Sequence, residues 1–386
     1  MKSVLFFLAA VGLNAVAALT VVMAPPWTWA WKLAIGGAEY GHVFALLALA
    51  ELVVGVAILR GTWRVAVVAL AGCAMVAFLR PIVEAVRLSR GLPAQMQAAF
   101  GRPPLAEPPF RFTRLFVGTA GPSSPIATEI YRVVDGQELK LDFSRPAPAD
   151  GRIPACVIVV HGGGWDAGDR AQMPALNRRL TSLGYAVASI DYRLSPRWPW
   201  PAPQDDLRAA IAWLKANAGR MGFDPGNLVL LGRSAGAQIV QVVGFADHDP
   251  AVRGIISFYG PSDLDFGYRH TVENDTIRSR SLLRGYLGGT PDEQPGRYRD
   301  ASGLNFVDRR SPPTLLLHGG LDTLVWVRHD DRLAGRLREA GVPHFFLMLP
   351  WATHGFDFNP DGPGGQLADY AVRDFLAAVT TGPAPR

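Results

Sequence analysis

The segment 227–246, "NLVLLGRSAGAQIVQVVGFA", joins an apolar run typical of a strand to an apolar run typical of a helix through the pentapeptide "GRSAG". Gly232 and Gly236 carry no side chains, so the strand and the helix can approach closely on either side of Ser234. In that context the serine is held at a strained turn with its hydroxyl exposed. An ordinary turn of small residues is the alternative interpretation, and the remainder of the chain decides between the two.

A glycine-rich loop supports the first interpretation. In "VIVVHGGGWDAGD", residues 157–169, an apolar strand runs into three consecutive glycines. Backbone N–H groups at this end of a sheet can stabilise negative charge on a carbonyl oxygen. We therefore predict that the amides of Gly163 and Gly164, with that of Ala235, form an oxyanion hole, and that Trp165 binds substrate. The loop contains neither a Gly-x-Gly-x-x-Gly pattern nor a terminal Gly-Lys-Ser/Thr, so a phosphate-binding loop is not expected.

A nucleophilic serine needs a histidine to accept its proton and a carboxylate to orient that histidine. Asp322 follows the apolar run of "TLLLHGGLDTLV", and His354 follows the next run, in "LMLPWATHGFDF". The chain order serine, acid, histidine is the one that this strand and helix topology uses. We therefore predict Ser234, Asp322 and His354 as the catalytic residues, with Asp263 as the alternative acid. No metal-ligand spacing is recognisable, so neither a metal nor another cofactor is expected.

Strand and helix patterns alternate from residue 128 to the end of the chain, which defines a predicted catalytic domain over 128–386. Eight apolar or alternating runs are typical of strands, and helical periodicity separates several of them. This alternation predicts an α/β fold in which helices cover both faces of a mostly parallel sheet. Residues 262–300 are expected to form a cap over the site.

The first 90 residues have a different, more apolar composition and are predicted to form a membrane domain. Apolar runs at about 4–23, 42–59 and 65–79 suit three transmembrane helices. A cleaved signal sequence is the alternative for the first run, but it leaves the other two unexplained. Trp27, Trp29 and Trp31 lie between the first two runs and suit either an aromatic belt at the membrane interface or a loop with packed tryptophans. Residues 91–127 are rich in Pro and Gly and are predicted to be a linker.

The charges determine the orientation of this multi-pass domain in the cell membrane only weakly, and on balance they favour an extracytoplasmic catalytic domain. Lys2 and the short "RGTWR" loop favour a cytoplasmic amino terminus and an extracytoplasmic catalytic domain, whereas three arginines after the third run favour the reverse (Arg80, Arg87 and Arg90). The net charge of +5 comes from scattered residues, so nucleic acid is not an expected partner. Cys73 and Cys156 both lie in apolar runs and predict no disulfide. Nothing in the sequence indicates an oligomeric state.

Five motifs, "HGGGW", "DYRLSP", "GRSAG", "HGGLDTLV" and "HGF", together resemble the α/β-hydrolase superfamily, in its branch of hormone-sensitive lipase-like and feruloyl or acetyl-xylan esterase-like domains. The resemblance extends over about residues 128–380 and implies the same triad and oxyanion residues. Two positions depart from the lipase branch. Arg233 stands where aspartate is usual, and Arg197 ends a Ser-Pro-Arg that replaces Ala-Pro-Glu. "GGGWDAGD" and "GRSAGAQ" are more similar to kynurenine formamidase-like and isoprenylcysteine methylesterase-like members.

The sequence therefore predicts a membrane-anchored serine hydrolase that cleaves carboxylic esters through an acyl-enzyme. Its expected substrate is a small or lipid-like ester. An acyltransferase, a formamidase or a prenylcysteine methylesterase would use the same triad, and these activities remain alternatives. A catalytically silent binding module on a membrane anchor is the alternative from another class.

Overall fold

The computed structural model describes residues 2–118, 125–147 and 153–380. Its eight strands form one sheet in the order β1-β2-β4-β3-β5-β6-β7-β8. They are β1 (Ile126–Val134), β2 (Gln137–Ser144), β3 (Cys156–Val160), β4 (Ala186–Ile190), β5 (Leu228–Arg233), β6 (Val252–Phe258), β7 (Thr314–Gly319) and β8 (His344–Leu349). Strand β2 is antiparallel to both of its neighbours, and the strands from β4 to β8 are parallel. All eight predicted strands are present, and the predicted α/β fold is confirmed.

Twelve α-helices accompany this sheet in the described residues. They are α1 (Lys2–Ala18), α2 (Thr28–Glu39), α3 (Gly41–Ile58), α4 (Gly61–Phe100), α5 (Pro174–Ser182), α6 (Ala202–Met221), α7 (Ala235–Ala246), α8 (Leu264–His270), α9 (Ser279–Leu287), α10 (Pro295–Asp300), α11 (Arg328–Glu339) and α12 (Pro363–Thr380). The helices α8, α9 and α10 lie within the segment 262–300 that was expected to form a cap.

Both faces of the sheet are buried, which explains why its central strands are apolar without alternation. Along β3, Ile158 and Val160 join a core that includes side chains of α6, α7 and α11. Val157 and Val159 point to the opposite core, which includes side chains of α4 and α12. Because β3 and β5 to β8 are parallel, their carboxyl ends lie at one edge of the sheet. The loops that follow those strands carry the candidate site.

The prediction of three transmembrane helices is corrected by the structure. Within the described residues, α3 and α4 are the two helices long and apolar enough to cross a membrane, whereas α1 has 17 residues. The predicted first span, 4–23, is interrupted after Ala18. There the chain turns, and the hydroxyl of Thr20 lies within hydrogen-bond distance of the carbonyl oxygens of Ala17 and Ala77. The other predicted spans, 42–59 and 65–79, fall on α3 and on the first half of α4.

Helix α4 also corrects the prediction of a linker over 91–127. It has 40 residues and is therefore about 60 Å long. Its second half is part of the catalytic domain, because Leu92 and Met96 are buried in the same core as side chains of α12. The chain beyond α4 is also fixed, since the amide of Leu105 donates to Asp374 on α12. Part of the predicted linker, 119–124, lies outside the described residues.

Candidate active site

Ser234 occupies a strained turn between β5 and α7. Its backbone has φ 53° and ψ −119°, a combination that a residue with a side chain rarely adopts. The glycines on either side have no room for a side chain. A Cβ at Gly232 would overlap the backbone of α7, and one at Gly236 would overlap the carbonyl oxygens of Val160 and His161. The small residues of "GRSAG" are therefore required by the close approach of strand and helix.

Asp322 and His354 are brought together from the ends of β7 and β8. The Nδ1 atom of His354 lies 2.7 Å from Oδ2 of Asp322, and both residues are buried. The other carboxylate oxygen accepts the amides of Leu324 at 2.8 Å and Val325 at 2.9 Å. Burial alone would raise the pKa of Asp322, but His354 and a second histidine lower it below its usual range. The carboxylate is thus held ionised in one orientation toward the imidazole.

The second histidine is His318, at the end of β7. Its Nδ1 lies 2.8 Å from Asp330 Oδ2, and its Nε2 lies 2.9 Å from the carbonyl oxygen of Val325 and 3.3 Å from Asp322 Oδ2. Burial disfavours its charge, but the two carboxylates outweigh burial and raise the pKa of His318 to about 10. The buried imidazolium of His318 therefore stabilises the same carboxylate oxygen of Asp322 that contacts His354. Sequence reasoning missed this role, for which the available signal was the spacing of four residues from Asp322.

Asp263, the alternative acid, is committed to other partners. One carboxylate oxygen accepts the amide of Phe266 at 3.0 Å and so caps α8, and the other pairs with Arg332 at 2.6 Å. The ring of His354 instead has its carboxylate partner in Asp322, whose Oδ2 accepts from Nδ1.

A buried ion pair explains the unusual arginine before Ser234. Arg233 Nε donates to Asp357 Oδ2 at 2.6 Å, and the hydroxyl of Tyr259 donates to Asp357 Oδ1 at 2.7 Å. The ring of Tyr259 lies 4.2 Å from the ring of His354, measured between centroids. Asp357 follows His354 by three residues, so the pair joins the serine turn to the histidine loop. The sequence signals for this contact were an arginine that follows an apolar strand, next to Ser234, and the aspartate of the "HGFD" motif.

The glycine loop after β3 lies directly against the serine. A Cβ at Gly162 would lie 3.2 Å from the Cβ of Ser234. Gly163 and Gly164 have φ values of 122° and 60°, which favour glycine. Among the residues that the structure describes, the amides of Gly163, Gly164 and Ala235 have no hydrogen-bond partner. The last of these is the first amide of α7, where the helix dipole also favours an anion.

His161 lies at the start of the glycine loop and fixes its position. Its ring stacks on Tyr192 with centroids 4.2 Å apart, and its Nδ1 lies 2.7 Å from the carbonyl oxygen of Gly162. Burial lowers the pKa of His161, which keeps the ring neutral.

Ser234 lines two adjoining cavities. The smaller has a volume of about 70 Å³ and is bounded by Trp165 and by the cap helices α8 and α9. Trp165 is fixed there, because its indole N–H donates to Gln238 at 2.9 Å and its ring stacks on Tyr286 at 4.6 Å. The larger cavity has a volume of about 640 Å³ and is bounded by His354, the glycine loop and α2.

The contact of α2 with this site was not predicted. The indole N–H of Trp31 donates to the carbonyl oxygen of His354 at 2.8 Å, and Ile35, one turn further along α2, lines the larger cavity. Trp27 and Trp29 are exposed and stack on each other with centroids 5.4 Å apart. The three tryptophans were predicted to act alike in an aromatic belt. Trp31 instead turns toward the catalytic histidine candidate.

A serine at a strand–helix turn of this sheet, with an Asp–His pair on the loops after β7 and β8, defines an α/β-hydrolase. A protein-family model described as BD-FAE matches residues 141–337, and the chain belongs to that family. Two curated relatives from Mycobacterium tuberculosis are similar to it. Esterase LipQ is 33% identical over 264 residues, 63% of this chain and 60% of the relative, and Esterase LipC is 33% identical over 250 residues, 61% and 59%. The chain thus spans about three fifths of the length of these relatives.

Solved structures agree on the fold. Esterase LipW from Mycobacterium marinum superposes with a TM-score of 0.52 at 26% identity, over 78% of this chain and 90% of that structure. A fungal esterase from Rhizomucor miehei superposes with a TM-score of 0.59 at 23% identity, over 75% and 96%.

Proposed function

We propose that this chain is a serine hydrolase that cleaves carboxylic esters with Ser234, Asp322 and His354. The observation that carries the proposal is the 2.7 Å contact between His354 and Asp322, with His354 and the strained Ser234 lining the same cavity. The names of the curated relatives, which are esterases, support the same reaction class.

The reaction follows from the roles of these groups. Ser234 Oγ attacks the ester carbonyl carbon while His354 Nε2 accepts the hydroxyl proton, and Asp322 stabilises the resulting imidazolium. The carbonyl oxygen becomes an oxyanion, for which we propose the amides of Gly163, Gly164 and Ala235 as hydrogen-bond donors. Collapse of the intermediate breaks the bond to the alcohol oxygen, which takes the proton from His354. Water then attacks the acyl-serine in the same way and releases the acid.

We further propose that α3 and the first half of α4 anchor the protein in a membrane. Large apolar side chains on both helices are exposed, including Leu46, Leu47, Val53, Ile58, Val65 and Val76. A water-soluble protein rarely exposes such a continuous apolar surface. Two crossings would also return the chain to its starting side, which fits the contact between α2 and the catalytic domain.

The charges of the short turn between these helices support an orientation. Arg60 and Arg64 lie at this turn, and arginines in short loops favour the cytoplasmic side. The catalytic domain is then extracytoplasmic. Extraction of membranes at alkaline pH tests the anchor, since an integral protein stays in the pellet. Protease added to right-side-out vesicles tests the orientation, because an extracytoplasmic domain is digested and a cytoplasmic one is protected.

Hydrolysis of p-nitrophenyl esters from acetyl to palmitoyl by the detergent-purified chain tests the reaction. We expect turnover that is abolished in Ser234→Ala, and covalent labelling of the wild type alone by a fluorophosphonate. Absence of both turnover and labelling would favour a silent binding module. Labelling without ester turnover would move the search to formamides, or to transfer of the acyl group to an added alcohol.

A further inference from the structure

The two cavities beside Ser234 divide the substrate into its two parts. During the reaction His354 must deliver a proton to the oxygen of the leaving alcohol, so the alcohol has to lie on the side of His354. His354 lines the larger cavity and is not among the residues that line the smaller one. The larger cavity therefore receives the alcohol, and the smaller one receives the acyl group.

The volume of the smaller cavity limits the acyl group. A buried water needs about 10–15 Å³ of such space, so 70 Å³ admits about five to seven atoms of that size. The walls that set this limit include the apolar side chains of Leu264, Phe266 and Leu283, together with polar groups such as His270 and Thr271. Trp165 is locked by its hydrogen bond and its stacking, so the cavity cannot widen by a simple rotation of that side chain.

The alcohol cavity is built partly by the N-terminal region. Trp31 and Ile35 of α2 line it, and Phe358, which is 65% exposed, lies at the same cavity. Helix α2 ends two residues before α3 begins, and α3 is one of the two proposed membrane helices. The alcohol side of the site is therefore adjacent to the membrane surface, whereas the acyl side is closed by the cap.

We propose that α2 is one wall of the leaving-alcohol subsite, and that the enzyme selects esters of a short acyl group with a long apolar alcohol that resides in the bilayer. This inference rests on the proposed ester hydrolysis. The smaller cavity limits the length of the acyl group, and the larger cavity accommodates a long alcohol.

Two isomeric esters separate the two sides of the site. Octyl acetate and ethyl octanoate have the same formula and similar hydrophobicity, but the long chain is on the alcohol in one and on the acyl group in the other. Acid release by the detergent-solubilised full chain is measured by titration at constant pH. We expect kcat/KM to be at least about tenfold higher for octyl acetate, because eight acyl carbons exceed the smaller cavity. Equal rates, or a preference for ethyl octanoate, would overturn the assignment.

The contribution of α2 is tested with Ile35→Ala, and Leu33→Ala is the matched control. Leu33 lies on the same helix, is 37% exposed and is not among the residues lining the cavity. We expect Ile35→Ala to lower kcat/KM for octyl acetate about tenfold more than it lowers kcat/KM for ethyl acetate. The control should change neither. An equal loss on both esters in Ile35→Ala would mean that α2 only positions His354, which contradicts the alcohol subsite.

Hydrolysis of p-nitrophenyl acetate distinguishes failure of the subsite assignment from failure of the proposed ester hydrolase function. If this activated ester is cleaved while the isomers are cleaved equally, the subsite assignment is wrong and the ester hydrolase proposal stands. If no ester is cleaved by a chain that resists labelling at Ser234, the proposed function itself is wrong.

Discussion

Glu39 makes the docking of α2 dependent on pH. This carboxyl group is fully buried at the amino terminus of α12, where Oε2 accepts the amides of Gly364 at 2.9 Å and Gly365 at 3.4 Å. The other oxygen, Oε1, has no hydrogen-bond partner among the described residues. Burial outweighs the two amides and raises the pKa of Glu39 from 4.5 to about 8. The folded chain therefore keeps Glu39 protonated at pH values where the unfolded chain has released that proton.

The sign and size of the effect on stability follow from linkage. Below pH 4.5 both states hold the proton, and above pH 8 neither does, so the change falls between these values. In that window unfolding releases a proton, and the free energy of unfolding decreases as the pH rises. At about 1.4 kcal/mol per pH unit, the total decrease is about 5 kcal/mol. Glu39→Gln keeps a neutral hydrogen-bonding group and should remove this dependence.

The assay is denaturant unfolding of the detergent-solubilised protein at pH 5 and pH 8.5. We expect the wild type to lose several kcal/mol more than Glu39→Gln between the two pH values, since all other titrating groups are common to both. Glu339→Gln is the control, because that carboxylate is 67% exposed on α11 and its change should leave the wild-type profile intact. Parallel pH profiles for the wild type and Glu39→Gln would mean that the carboxyl group of Glu39 titrates alike in the folded and unfolded chain.

Three substitutions test the site itself. Asp322→Asn should lower kcat for p-nitrophenyl acetate by a factor on the order of 10⁴ with little change in KM, because the imidazolium loses its counter-charge; a loss below tenfold would exclude Asp322 as the orienting acid. Gly236→Ala should destabilise the fold by about 1–3 kcal/mol in denaturant unfolding, since the new methyl overlaps two carbonyl oxygens, and unchanged stability would contradict the close approach. His318→Gln should cost about 3–5 kcal/mol of unfolding free energy, because Asp330 is left buried without its cation; a neutral effect would mean that His318 is uncharged.

The catalytic domain could be predicted because its signals are local. Strands such as β3 and β5 are buried on both faces, so each appears as an uninterrupted apolar run bounded by glycines. The loops that follow parallel strands meet at one edge, so residues as distant as Asp322 and His354 could be placed together from strand order alone. The Gly-x-Ser-x-Gly pentapeptide, the glycine loop and the chain order of serine, acid and histidine then identified the candidate residues.

The features that escaped prediction depend on contacts between distant segments. Apolar content identified the part of α4 that suits a membrane. The second half of the helix is more polar, so the sequence predicts that the helix ends with the span. Its continuation depends on Leu92 and Met96 packing against α12, which no local pattern encodes. Composition likewise suggested a linker where hydrogen bonds to α12 fix the chain. Trp31 and His354 are 323 residues apart, and the spacing of Trp31 with two exposed tryptophans favoured a shared interfacial role.

The loop that carries His354 is held by contacts on two sides, and one of them connects the candidate active site to the proposed membrane helices. Asp357 ties the loop to the serine turn through Arg233, while Trp31 ties it to α2 through the carbonyl oxygen of His354. Because α2 leads directly into α3, the proposed membrane anchor is connected through α2 to the histidine that we propose accepts and delivers the proton. The Arg233–Asp357 ion pair holds the same loop from within the catalytic domain, through a contact that does not involve α2.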